Sequence, residues 1–213
     1  MFELFDVALI LAVALNFVFL GVSRTRAVIN AVALQGALIG TFILFVQPDV
    51  GLRGILLALV TIALKGRIIP TFLLHAMREA DIQHEVEPVV GFIPSLLLGG
   101  VGTALAIAFS NTLPLTSEHA HLLLVPASFS TVWTGFLLLT TRRQAIMQVL
   151  GYLVLENGIY LFGLLLLEAM PFLVEMGVLL DVFTGVFVMG IIVHHINVEF
   201  DSISTAYLRN LKE

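Results

Sequence analysis

Cysteine is absent from all 213 residues. Thiolate chemistry, disulfides and cysteine-ligated zinc or iron–sulfur sites within the chain are therefore excluded. Charge is scarce as well. Asp, Glu, Lys and Arg make up 12% of the residues against 59% hydrophobic ones, whereas a soluble domain carries about 25% charged and about 45–50% apolar residues. So little polar surface cannot cover a body in water, and the class that remains is an all-α polytopic membrane protein embedded in the lipid bilayer. No basic cluster is present, which removes nucleic acid as a partner. Nor is there a glycine-rich phosphate loop, an HExxH pair or a nucleophile constellation. No catalytic residue, metal or resident cofactor is expected in this chain. The first apolar stretch follows Glu3 and Asp6 rather than a basic leader, so it reads as a retained first span and not as a signal peptide.

What the sequence has in quantity is long apolar runs. A spanning helix needs about 20 mainly apolar residues, and seven windows qualify: 2–22, 27–47, 52–74, 89–109, 121–141, 144–168 and 172–195. The connections are short: "SRTR" at 23–26, "PDVG" at 48–51, "TRR" at 141–143 and "AMP" at 169–171. The longest, "HAMREADIQHEVEP" at 75–88, is too small to form a domain, and one transmembrane bundle over 1–213 results. The six histidines, at 75, 84, 119, 121, 194 and 195, fall at or beyond the ends of these windows.

Basic residues favour the cytoplasmic side. Arg24, Arg26, Arg78, Arg142, Arg143, Arg209 and Lys212 lie on one side and only Arg53 on the other, seven against one. The expected topology has the N-terminus outside and the C-terminus inside. The tail, 197–213, spaces Phe200, Ile203, Tyr207, Leu208 and Leu211 as an amphipathic helix, to rest on lipid headgroups or dock on a cytoplasmic partner.

Against this background the ionisable residues inside the runs stand out. "LVTIALKGRIIP" carries Lys65 and Arg67, "LGYLVLENGIYLFG" carries Glu156, and "FLVEMGVLLDVFTG" carries Glu175 and Asp181. At about 1.5 Å per residue, Lys65, Glu156 and Asp181 lie roughly 13–20 Å into their spans, near the midplane. A charge there costs about 2.5–3.5 kcal/mol on insertion scales, and it persists where it pairs, meets water or becomes neutral. Two uses are open: a static ion pair of Lys65 with Glu156 or Asp181 that orients helices, or a proton pathway. Asn157 adjoins Glu156, and Tyr152 and Tyr160 each lie one turn from it. Pro70, five residues after Lys65, can bend its helix. Gly158, Gly163, Gly177 and Gly185 are expected to permit close helix contact.

The run "LGYLVLENGIYLFGLLLL", the following "FLVEMGVLLDVFTGVFVMGIIVHHI", the "LKGRIIP" of the third span and the tail "FDSISTAYLRNLK" resemble the hydrogenase-4 component E (HyfE) family. The C-terminal helices of that family are in turn similar to NuoK, the small membrane subunit of respiratory complex I. The resemblance implies HyfE-type N-terminal helices over 1–118, a NuoK-like three-helix core over 119–196 and a cytoplasmic tail over 197–213. It further implies a multi-pass subunit in the inner (cytoplasmic) membrane of a complex I-like, formate hydrogenlyase-type assembly. The partners would be antiporter-like membrane subunits and peripheral hydrogenase-like subunits that hold nickel–iron and iron–sulfur centres. The carboxylates of the NuoK proton path fall on Glu156 and Asp181, while Lys65 and Glu175 carry over from the HyfE pattern, with Tyr160, Asn157 and Arg67 in support. Asp181 stands where NuoK usually has glutamate, one methylene longer. The alternatives are a NuoK-like subunit of a multi-subunit cation/proton antiporter, a standalone secondary transporter, and an assembly subunit whose charges only join helices.

Overall fold

A computed structural model of the chain describes residues 2–46, 51–79, 86, 88–113 and 123–165, with 176, 177, 179, 180, 182–187 and 190 of the last expected span. The fold is all-α: α1 (Phe2–Gly21), α2 (Thr25–Val46), α3 (Leu52–Ala63), a π-helical segment (Leu64–Ile68), α4 (Ile69–Glu79), α5 (Phe92–Ser110), α6 (Leu124–Thr141) and α7 (Ala145–Leu165). Among the described residues, five helices are long and apolar enough to cross a membrane: Leu4–Gly21, Gly54–Arg78, Phe92–Ser110, Leu124–Thr141 and Ala145–Leu164. The protein is thus built for a bilayer, with bulky residues such as Ile93, Leu97 and Leu105 exposed along α5. Asp181 and Glu175, like the tail, lie outside the described residues.

Two features of the third span differ from expectation. The helix runs past residue 74 to Glu79, so His75 lies within α4 and not in a loop. At Pro70, where a bend was expected, the helix continues and carries a π-helical turn. The backbone widens just before the proline, where the Ile69 N–H bonds to the Leu64 carbonyl, five residues back. Proline in a regular helix clashes with the carbonyl four residues earlier, and one wide turn moves that carbonyl away without ending the helix.

Glycine sets how closely the helices meet. A Cβ on Gly135 of α6 would lie 2.5 Å from the Leu155 backbone nitrogen of α7, and one on Gly158 would lie 2.5 Å from that of Val132. On the other side a Cβ on Gly36 of α2 would lie 2.6 Å from the Lys65 Cβ. Close approach of this kind is how helices associate where no hydrophobic effect drives them together. At Gly163 no atom of the described residues would lie within 4 Å of a Cβ. Gly177 would meet Tyr160 at 3.2 Å and Gly185 would meet Ile69 at 3.8 Å, the first tight and the second ordinary contact.

The core is split in two. Near one end Phe19, Ile29, Leu73, Met77, Leu138 and Leu150 pack together. Near the other, Phe5, Leu9, Ile39, Phe42, Leu124 and Leu161 do the same, with the Phe5 and Phe42 rings edge to face at 5.1 Å. In α2, α6 and α7 the buried Gln35, Ser130 with Thr131, and Glu156 with Asn157 fall in sequence between the two clusters, and in α1 Asn16 lies beside Leu15 at the inner edge of the first. Lys65 occupies the same level on the third span, between Ala58 and Ile69. The bundle is layered as apolar, polar, apolar.

The polar middle layer as candidate functional site

Lys65 enters this layer from the π segment. Its side chain is buried, and Nζ donates to Asn157 Oδ1 at 2.9 Å while lying 5.6 Å from the centre of the Tyr160 ring. The wide turn that accommodates Pro70 carries the lysine, and Gly36 leaves the gap through which its stem passes α2. Glu156 is 2% exposed and Tyr160 is 5% exposed, one turn apart on α7. The ion cluster expected from sequence is therefore assembled in part: Lys65, Asn157 and Tyr160 meet, and Glu156 is buried beside them in the chain.

From Asn157 the hydrogen bonds continue. Its Nδ2 donates to Gln35 Oε1 at 3.1 Å. Gln35 Nε2 donates to Asn16 Oδ1 at 2.9 Å and to the Ala12 carbonyl at 2.9 Å. Asn16 Nδ2 donates to Thr131 Oγ1 at 3.0 Å and reaches Ser130 Oγ at 3.5 Å. Ser130 Oγ lies 2.8 Å from Thr103 Oγ1 on α5. One chain of side-chain bonds thus crosses the π-helical segment, α7, α2, α1, α6 and α5. Every amide in it turns its carbonyl toward Lys65 and its NH2 away. Amides so aligned polarise one another and present their negative ends to the ammonium. That lowers the cost of holding a cation at this depth, and the lysine in turn fixes the direction of the chain.

The chain ends next to space. Thr103 lines a cavity of about 180 Å³ with Leu9, Val13, Ile107 and Pro126. On the Glu156 side, Tyr152 lines a larger groove of about 470 Å³ with Gln148, Phe183 and Thr184. Thr61, one turn before Lys65, has a buried hydroxyl without a hydrogen-bond partner among the described residues.

A second buried cation sits outside the layer. Arg142, which in sequence reads as one of the loop charges that set topology, is 2% exposed. Its guanidinium donates to the carbonyls of Leu20 at 2.9 Å and Val90 at 3.1 Å, reaches Ser95 Oγ at 3.4 Å and stacks 5.3 Å from the Phe92 ring. Burial pushes it below its ordinary pKa. Nearby, the Val86 N–H bonds to Ser23 O and that of Val89 to Thr141 O. The ends of α1, α5 and α6 are thereby tied together. Arg24, Arg26, Arg78 and Arg143 are exposed around the turns at this end. Arg67 is exposed too, and does not join the Lys65 cluster.

Over 190 residues the chain is 30% identical to a Mycobacterium tuberculosis protein, "Uncharacterized protein Rv0085", spanning 88% of this chain and 86% of the relative. The chain belongs to that protein's family. No family model matches the chain, and no solved structure matches it. The match extends over most of the length of both chains.

Proposed function

We propose that this protein is a membrane subunit of a complex I-like, redox-driven ion-translocating assembly of the hydrogenase-4 or formate hydrogenlyase type, and that it contributes buried ionisable groups to a transmembrane proton path. The observation that carries the reading is the middle layer itself. Lys65 and Glu156 are both buried at mid-span depth, on neighbouring faces joined by the Lys65–Asn157 bond. Groups placed this way survive where a mechanism uses them.

The roles divide by chemistry. Glu156 and Lys65 can each take up and release a proton. The amides of Asn157, Gln35 and Asn16 cannot do so without passing through an unstable imidic tautomer, so they position the ionisable pair and do not conduct. Proton access from the basic end would follow the groove beside Tyr152. Asp181 and Glu175 on the seventh span would continue the path. In sequence Asp181 precedes Gly185 by four residues, and Gly185 packs next to Ile69, itself four residues beyond Lys65. In this reading seven spans cross the inner membrane with the N-terminus outside, and antiporter-like subunits and a nickel–iron, iron–sulfur arm are the partners.

The test begins with a mild-detergent pull-down that recovers antiporter-like and iron–sulfur subunits. Glu156→Gln is then introduced into the assembled complex. Assembly and redox turnover are retained while proton translocation into membrane vesicles is lost. Unchanged translocation removes Glu156 from the path, and recovery of the chain alone removes the complex.

A further inference from the structure

Arg67 is the anomaly of the exposed surface. It stands 13 residues from Gly54 and 11 from Arg78, the ends of an apolar helix of 25 residues, about 37 Å long and so longer than a hydrocarbon core of about 30 Å. With the helix centred in that core, Arg67 lies about 13 Å from the nearer edge, farther than its side chain of about 7 Å can snorkel. It is exposed, and its guanidinium makes no hydrogen bond or ion pair among the described residues. A bare guanidinium against lipid tails at that depth carries the full midplane cost. Below it on the same face of α4, at spacings of four, four and three residues, Thr71, His75 and Arg78 are also exposed, and the Thr71 hydroxyl turns back to the Arg67 carbonyl at 2.6 Å. Above it the exposed residues are Ala63, Val60 and Leu56. One half of this face is therefore apolar and the other cationic and polar, with the boundary in mid-bilayer.

We infer that this face is the contact surface for a transmembrane helix of a different membrane chain, one that carries an aspartate or glutamate at the depth of Arg67. Charge complementarity selects the occupant. Lipid tails offer no anion. A second copy docked about a two-fold axis through this face would bring Arg67 against Arg67. A carboxylate pairs with guanidinium in a bidentate fork that satisfies both groups away from water. The inference rests on the spanning assignment of this helix and not on the proton path, so failure of Glu156→Gln leaves it standing.

The experiment is photo-crosslinking in native membranes, with a benzophenone-bearing residue replacing Val60 or Thr71, and replacing Leu105 on α5 as a control face. Crosslinked peptides are sequenced. The expected adduct is to a membrane segment of another chain with an acidic residue at matching depth. Its yield falls at least severalfold in Arg67→Leu, recovers in part in Arg67→Lys, and is restored when Arg67→Glu is combined with arginine at the partner's acidic position. Emission of Trp133 confirms that each variant is folded. Adducts to lipid alone, to a second copy, to other parts of the same chain, or to a segment without a carboxylate overturn the inference. So does a yield that ignores Arg67→Leu, or the absence of any adduct.

Discussion

Replacing Gln35 with leucine tests the middle layer most directly. The substitution keeps roughly the volume of the side chain and removes three hydrogen bonds: two donated by Nε2 to Asn16 Oδ1 and the Ala12 carbonyl, and one accepted by Oε1 from Asn157. Side-chain bonds between membrane helices average about 0.6 kcal/mol each, with about 1.7 kcal/mol at the upper end. Three average bonds give about 2 kcal/mol. Asn16 Oδ1 and Asn157 Nδ2 would also be left buried without these partners, and an unsatisfied buried group costs about 1–3 kcal/mol where it cannot turn elsewhere. Greater favourability of leucine in an apolar bundle offsets part of this. The expected loss is about 2–4 kcal/mol in reversible unfolding in mixed detergent micelles. Asn157→Leu removes one of the same bonds, so the double variant should lose less than the sum of the singles, by about 0.5–2 kcal/mol. A Gln35→Leu protein within about 0.5 kcal/mol of the parent, or strict additivity with Asn157→Leu, would mean that the chain of amides is not an energetic unit.

Three further outcomes follow from the packing. Gly158→Val puts side-chain atoms into the Val132 backbone, where nothing can yield, and should abolish folding of the α6–α7 pair, whereas Gly163→Ala meets nothing within 4 Å among the described residues and should stabilise the protein in detergent unfolding slightly, by up to about 1 kcal/mol from helix propensity. Gly102→Ala would bring a methyl group within 2.0 Å of the Trp133 ring and break the indole bond to the Leu98 carbonyl, now 3.0 Å. Because Trp133 is the single tryptophan, its emission maximum should shift, and an unmoved spectrum would refute the contact. Arg142→Leu should free residues 86–91 from the ends of α1 and α6 and cost several kcal/mol, since removing a buried, hydrogen-bonded charge leaves its carbonyl partners unsatisfied. Arg142→Lys should recover only part of that loss, lacking the fork. Proteolysis within 86–91 in membranes is the readout.

Five of the seven expected spans were legible because a run of apolar residues in a bilayer has one solution, and Lys65 and Glu156 were legible because charge inside such a run is costly. Gln35, an uncharged polar residue within an apolar run, is a weaker signal of the same kind. Asn16, Ser130, Thr131 and Thr103 did not stand out. A serine or threonine in a membrane helix satisfies itself on its own backbone, as Thr131 does with the Ala127 carbonyl, so its presence in a span announces no partner across the bundle. Arg142 was readable as a charge at a helix end but not as a clamp, because its partners are backbone carbonyls of residues 52 and 122 positions away. The π turn had a local cause in Pro70, yet proline alone does not say whether a helix will bend, stop or widen. The neighbouring contact decides that: with Gly36 opposite, the wide turn has room to project Lys65 inward.

The layering bears on which use of the charges is correct. Amides and hydroxyls that satisfy one another, from Asn157 to Thr103, already fix register among the helices. Such a layer joins the helices without an ion pair, Lys65 adding only the direction in which the amides point. Apolar replacements for buried ionic groups are often neutral or stabilising by about 1–4 kcal/mol, so ion pairing as mere glue would be the more costly way to join helices that the amide chain joins already. Joining the helices therefore does not by itself account for Lys65 and Glu156; under the proposed function their burial at this level serves a proton path. The distinction is measurable in one pair of variants: Gln35→Leu should lower stability with translocation per folded complex largely kept, and Glu156→Gln should do the reverse.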